Sequence, residues 1–322
     1  MTRNEVRPVV DIETGELFEK AIIVDNPENY ILIHKDSEAN RKEFLKNRVV
    51  KSQFDELAGG FSFTMLDTLK ELIADEDFTQ SDKTRIMFLG TFVSYEKNNR
   101  YLTYGNGRPI LKNQLMDLLE MTNRKEFYNL YNTMLEKGVF TEDRESRSVI
   151  KIIWSKKYHF KGAVSGGSKT SEKLVKSYDK QIRELYRARN SKGKPIHTAH
   201  SLFTFFSLLP YVHPESNALC RHPEKPVSQS QPFTIRELAD IYGIERVTNF
   251  RRLLFRIKIH KMPVVALAQT TEDSRIYINP FVVNRTGKKP NATLFTLFES
   301  SFQRLADRQG WSEEQRQQFL KQ

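Results

Sequence analysis

Laid over each other at a constant offset of 123 and with no gap, residues 109–135 and 232–258 repeat one pattern. Pro109 falls on Pro232, Leu115 on Leu238, Asp117 on Asp240, Phe127 on Phe250 and Leu130 on Leu253. Met116 over Ala239, Met121 over Ile244 and Met134 over Ile257 add apolar matches at positions a two-helix unit would bury. An internal repeat constrains a chain more than any single motif, because both copies must fold the same way to bury the same positions.

Each copy opens on a proline-marked strand, Arg108-Pro109-Ile110 or Gln231-Pro232-Phe233, followed by a short helix, Lys112 to Leu119 or Ile235 to Ile241. A tight turn follows, through Met121-Thr122-Asn123 or Tyr242-Gly243-Ile244, and then a longer helix, Arg124 to Lys137 or Glu245 to Lys258. This is helix-turn-helix spacing, with Phe250 and Leu253 facing the core and Gly243 where the turn needs positive φ. Two β-rich bursts around a polar turn come next: Val139-Phe140 and Val149 to Trp154 around Thr141 to Ser148, and Val264 to Ala268 and Arg275 to Ile278 around Gln269 to Ser274. An apolar helix precedes each copy, Thr84 to Tyr95 or Ala199 to Tyr211. The order helix, strand, helix, helix, strand, strand is that of a winged helix. The expected fold is therefore α+β, two winged helix-turn-helix domains in tandem with a small N-terminal β element and a C-terminal helix.

Five segments are expected. Residues 1–60 hold a β-meander and connector, with bursts at Val9-Val10, Leu17-Phe18, Ala21 to Val24 and Tyr30 to Ile33 between the turns Glu13-Thr14-Gly15 and Asn26-Pro27. The first winged helix covers 61–161, where Phe63, Leu66, Leu69 and Ile73 have helical spacing. Residues 162–195 form a flexible Gly/Ser joint and a basic helix whose stripe is Leu174, Tyr178, Ile182 and Leu185. The second winged helix covers 196–292. Residues 293–322 carry Leu294, Phe295, Phe298, Phe302 and Leu305 on one helical face, a lid on the second core or a dimerisation helix.

The second helix of such a unit is shaped to enter a major groove, so its exposed positions should donate to base edges and phosphates. The first copy offers Thr122, Asn123, Arg124, Lys125, Tyr128, Asn129 and Asn132, with Arg144 and Arg147 at its wing tip; the second offers Arg246, Thr248, Asn249, Arg251, Arg252 and Arg256, with Arg275 in its wing. Lys173, Lys176, Lys180, Arg183 and Arg187 of the basic helix are expected on phosphates. Charge distribution points the same way. The chain has a net charge of +11, with 10 basic and 17 acidic side chains in residues 1–80 but 27 and 14 in residues 161–322. A basic body of this kind seeks a polyanion, here double-stranded DNA.

Other chemistries find less support. Gly162 to Thr170 misses the phosphate-loop pattern because Ser168 separates Gly167 from Lys169. His213, Cys220 and His222 lack the spacing of a zinc site, and no catalytic constellation is present. No enzyme activity, cofactor or metal is expected. A lone cysteine and an opening, Met1-Thr2-Arg3-Asn4-Glu5, without an apolar run suggest a cytoplasmic protein. The apolar stretch Ser201 to Val212 is too short for the roughly twenty residues a membrane span needs, so no membrane partner is expected.

Tandem winged helices joined by a basic linker behind a small β element resemble plasmid and phage replication initiators. The resemblance rests on the two copies around Leu115 to Leu130 and Leu238 to Leu253. It implies a protein that binds directly repeated origin sequences as a monomer, assists strand opening and recruits host replication proteins, and whose dimer represses its own gene. Two alternatives stay open: a phage or bacterial transcription regulator, and a winged-helix interaction adaptor that does not read DNA.

Overall fold

The computed structural model describes residues 6–10, 17–22, 53–95, 100–162, 173–259, 261–269, 274–285 and 290–321. The chain divides into two compact units, Met1–Val49 and Val50–Gln322. In the first, β1 (Val6–Val10) pairs antiparallel with β2 (Leu17–Ile22), Val10 opposite Leu17 and Val6 opposite Ile22. This hairpin is the start of the expected meander. The burst at Tyr30 to Ile33 and most of the connector lie outside the described residues.

The second unit is α+β. It opens with a helical stretch over 53–58, then β3 (Phe61–Met65) and α1 (Leu66–Ala74). Phe63, expected on a helix, lies in β3, because 61–65 alternate in burial and pair with a neighbouring strand. Helix α2 (Gln80–Gly90) starts at a capping box in which Thr79 Oγ1 accepts from the Asp82 amide at 3.2 Å. The first repeat copy follows as α3 (Lys112–Leu118), α4 (Arg124–Glu136) and a hairpin of β4 (Phe140–Arg144) with β5 (Ile150–Trp154), Phe140 opposite Trp154.

The connection to the second copy differs from expectation. After β6 (His159–Phe160), residues Leu174–Tyr178 form a strand, β7, and only Asp179–Tyr186 form a helix, α5. All five residues of β7 are buried, since it lies between β3 and a later strand in a four-stranded sheet. A continuous basic helix from Lys173 to Arg189 is thus excluded: both faces of β7 are covered, which a solvated helix does not allow. Residues 163–172 of the expected joint lie outside the described residues.

The second copy comprises α6 (Ala199–Leu208), α7 (Ile235–Ile241) and α8 (Val247–Phe255), the short pair β8 (Lys258–Ile259) and β9 (Met262–Pro263), and a hairpin of β10 (Val265–Gln269) with β11 (Ser274–Ile278). Strand β12 (Val283–Asn284) then completes the sheet in the order β12-β7-β3-β6. Helix α6 is buried at every position from Leu202 to Leu208, because α2 of the first copy packs along it. One hydrophobic core therefore runs through both copies, from Phe88 and Tyr131 to Phe205 and Phe250. Where the sequence suggests two domains across a joint, Val50–Gln322 is one compact unit.

Helices α9 (Ala292–Leu297), α10 (Glu299–Arg308) and α11 (Glu313–Lys321) end the chain. Leu294, Phe295, Phe298, Phe302 and Leu305 are buried against Phe54, Tyr178 and Phe281, so this segment is a lid. Phe302 stacks on Phe319 with centroids 5.7 Å apart, and Phe281 meets Phe295 edge-on at 5.9 Å.

Candidate nucleic-acid interface

The repeat is exact where it matters for geometry. Helices α3 and α7 begin and end at equivalent positions of the 123-residue offset, and α4 and α8 begin at equivalent positions. Leu115 and Leu238 are both fully buried, as are Ile110 and Phe233, and Met134 and Ile257. The turns match atom for atom: Met121 N donates to Met116 O at 3.0 Å, and Ile244 N to Ala239 O at 2.9 Å. Gly243 has φ of 62°, and its counterpart Glu120 has 54°. One expectation shifts by a residue: Leu254 is buried while Leu253 is half-buried, so α8 faces inward through Phe250, Leu254 and Ile257.

That inward face sets the outward one. Arg246, Thr248, Asn249, Arg251, Arg252 and Arg256 are all exposed. Among the described residues the four arginines of this group form no ion pair, although elsewhere arginines do, as Arg221 with Glu237 at 2.7 Å. Thr248, Arg251, Arg252 and Phe255 line a groove of about 450 Å³ closed by Leu267 of β10, so helix and hairpin share one surface. Arg275 lies half-buried on β11 opposite Ala268.

In the first copy a groove of about 530 Å³ runs between α3, α4 and the hairpin, lined by Arg124, Tyr128, Arg147, Met116 and Phe127; of the second groove's positions it shares only that of Arg251, held here by Tyr128. Tyr128 is half exposed. Thr122, Lys125 and Asn132 are exposed outside this groove. Two expected contacts are otherwise engaged. Asn123 caps α4, its Oδ1 accepting from the Lys125 and Glu126 amides at 3.0 and 3.3 Å. Asn129 lines a different hollow, shared with Asp77, Asp82 and Glu126, whose carboxylates repel phosphate.

The hairpin is braced from inside. Glu142 accepts from Tyr131 Oη at 2.5 Å, from Lys112 Nζ at 3.0 Å and from Arg144 Nε at 2.6 Å. Burial works to raise the Glu142 carboxyl, but these three donors outweigh it and hold it below the usual carboxylate range. Burial first, then the bond to Glu142, pushes the Tyr131 hydroxyl up. Arg144 is thus tied to its own strand, and Arg147 at the tip forms no ion pair among the described residues.

Of the five basic residues expected on phosphates, two are engaged by the protein itself. Lys176 is 2% exposed, pairs with Asp55 and lies 3.8 Å from the Phe61 ring centre. Arg183 lies flat on Phe92 at 3.8 Å and donates through Nε to Thr91 Oγ1 at 2.9 Å. Lys173, Lys180 and Arg187 remain exposed. The residues set aside as metal ligands also have other roles. His213 uses both ring nitrogens locally, Nε2 with Lys225 O at 2.8 Å and Nδ1 with the Glu215 amide at 3.1 Å, and burial pushes the Cys220 thiol up to about 11.

No family model, curated protein or solved structure matches this chain. Among the described residues, no helix is long and apolar enough to cross a membrane.

Proposed function

We propose that this protein binds double-stranded DNA through two winged helix-turn-helix units and acts as a replication initiator on the repeated origin sequences of a plasmid or phage. The observation that carries the reading is α8. Arg251 and Arg252 on α8, with Arg246 and Arg256 at its two caps, form no ion pair among the described residues and stand beside a β-hairpin, and such a helix gains most from a groove lined by phosphates and acceptor base edges. The first copy adds a groove of its own with Arg124, Tyr128 and Arg147, so one chain offers two readers. Two readers in one chain suit directly repeated or long sites, and that favours an initiator over a single-site regulator. On this reading the role is binding and assembly with host replication proteins, in the cytoplasm.

Selection from random DNA followed by footprinting tests this. An initiator protects tandem repeats and distorts an adjacent A·T-rich stretch; protection of one palindrome makes the protein a transcription regulator; absence of salt-sensitive duplex binding leaves a protein-interaction adaptor. Arg252→Ala should lose about 1–3 kcal/mol of specific binding and relax preference at one or two base positions. Its thermal midpoint should stay that of the parent, because the side chain is exposed. Unchanged specificity, or a collapsed midpoint, overturns reading through this face.

A further inference from the structure

Away from both readers, a cleft of about 630 Å³ opens where residues 93–95 beyond α2, residues 103–107 and the start of α5 meet. At its base Lys161 Nζ pairs with Asp179 Oδ2 at 2.7 Å, both side chains less than a tenth exposed. The Thr91 carbonyl, at the end of α2, accepts from Lys161 Nζ at 3.0 Å and also from Arg183 Nη2. Arg183 forms no ion pair among the described residues, and Lys180 stands exposed on the rim. Among the described residues Lys161 and Arg183 therefore share one carboxylate at the base of the cleft, with Lys180 solvated beside them.

Charge buried without a full counter-charge is costly, and the protein bears that cost here: burial pushes both Lys161 and Arg183 below their usual ranges. Had the cluster served only to pin α5 to α2, one ion pair and the three bonds to Thr91 would suffice, and neither the surplus cation nor the open volume would be needed. An anion in the cleft supplies the missing charge. The walls narrow its identity. Tyr95 is 60% exposed and has Lys161 Nζ 5.3 Å from its ring centre. Tyr104 begins a turn closed by the Gly107 amide on Tyr104 O at 2.9 Å, and neither Gly105 nor Gly107 would bring a Cβ within 4 Å of another group. Two phenol rings, a bare glycine turn and a cationic floor suit a flat ring carrying phosphate, and the volume falls in the usual range of about 300–1,000 Å³ for small-ligand sites.

We propose that this cleft binds a nucleotide, its phosphate on Lys180, Arg183 and Lys161 and its base against Tyr95 and Tyr104. Free nucleoside triphosphate and an unpaired nucleotide of a single strand present the same chemistry. The site shares no residue with α8 or either hairpin, so it does not depend on duplex reading.

Titration calorimetry on the full chain tests it with ATP, GTP, inorganic phosphate and a short unstructured oligodeoxynucleotide as probes. A nucleotide should bind at least about tenfold more tightly than phosphate, because base–aromatic stacking adds that much. Lys180→Gln, at an exposed residue, and Tyr104→Ala, at a half-buried one, should each weaken it about tenfold, while Tyr104→Phe keeps parental affinity. Competition by the oligonucleotide at lower concentration than ATP identifies a strand as occupant; ATP binding without such competition identifies the free nucleotide. Either outcome supports the cleft. No nucleotide binding by a protein with its parental melting midpoint, binding no tighter than phosphate, or parental affinity in both Lys180→Gln and Tyr104→Ala overturns it. Duplex affinity of Tyr104→Ala should match the parent, so this proposal and the duplex reading fail separately.

Discussion

His159 has no room to carry a proton. Its ring is fully buried, Trp154 Nε1 donates to Nδ1 at 3.2 Å, and a Cβ built on Gly90 would lie 2.3 Å from the ring. The glycine at the end of α2 is thus a packing requirement: Gly90→Ala should destabilise by about 1–3 kcal/mol or more, as overpacking does, measured by chemical unfolding. Burial pushes the His159 pKa down to about 3. The unfolded chain takes up this proton near pH 6.5 and the folded chain does not, so His159 costs no stability above pH 6.5. As pH falls from 6.5 toward 3 the loss grows, at most about 1.4 kcal/mol per pH unit for one group. His159→Asn keeps an acceptor near Trp154 and removes the titration, so its stability between pH 6.5 and 4.5 should fall less steeply than the parent's. Equal slopes would show that other groups carry the acid sensitivity.

At the level of elements, the turns from α3 to α4 and from α7 to α8 have the same backbone with different residues. Gly243 adopts positive φ at no steric cost, while Glu120 adopts it against its Cβ and pairs with Arg189 at the surface. Gly243→Ala should cost about 1–2 kcal/mol, whereas Glu120→Gly should change stability by less than about 0.5 kcal/mol, since relief of strain offsets the added chain entropy and an exposed pair contributes little. Thermal unfolding of both variants checks the asymmetry. These turns were legible in the sequence because their residues are local: Leu115, Asp117 and Phe127 repeat at the spacing that the structure keeps. Strand β7 was not. Leu174, Tyr178, Ile182 and Leu185 satisfy a helical period, and only partners far along the chain, Phe61 to Met65 on one side and Val283 on the other, turn the first of them into a strand. Lys176 misled for the same reason, its charge being answered by Asp55, 121 residues earlier.

For the whole molecule, the packing of α2 on α6 joins the copies into one core, with Tyr186 stacked on Phe88 at 4.0 Å and its hydroxyl donating to Leu119 O at 2.8 Å. Val50–Gln322 should therefore unfold in a single cooperative transition, and Phe88→Ala, costing about 3–5 kcal/mol, should move all of it. Two calorimetric transitions, with one left in place by Phe88→Ala, would contradict the shared core. The order of elements in each copy was readable from periodicity, but their fusion was not, because an apolar helix face announces that it will be covered without naming its cover. Leu202 to Leu208 is buried on every side for that reason. The fusion also changes what the pair of outward helices is. Two modules on a tether sample a spread of separations whose breadth grows with the length between them; α4 and α8, standing on one core, have a single span. A chain lengthened between β6 and β7 would keep that span, and a ruler of this kind measures with its body rather than with its string.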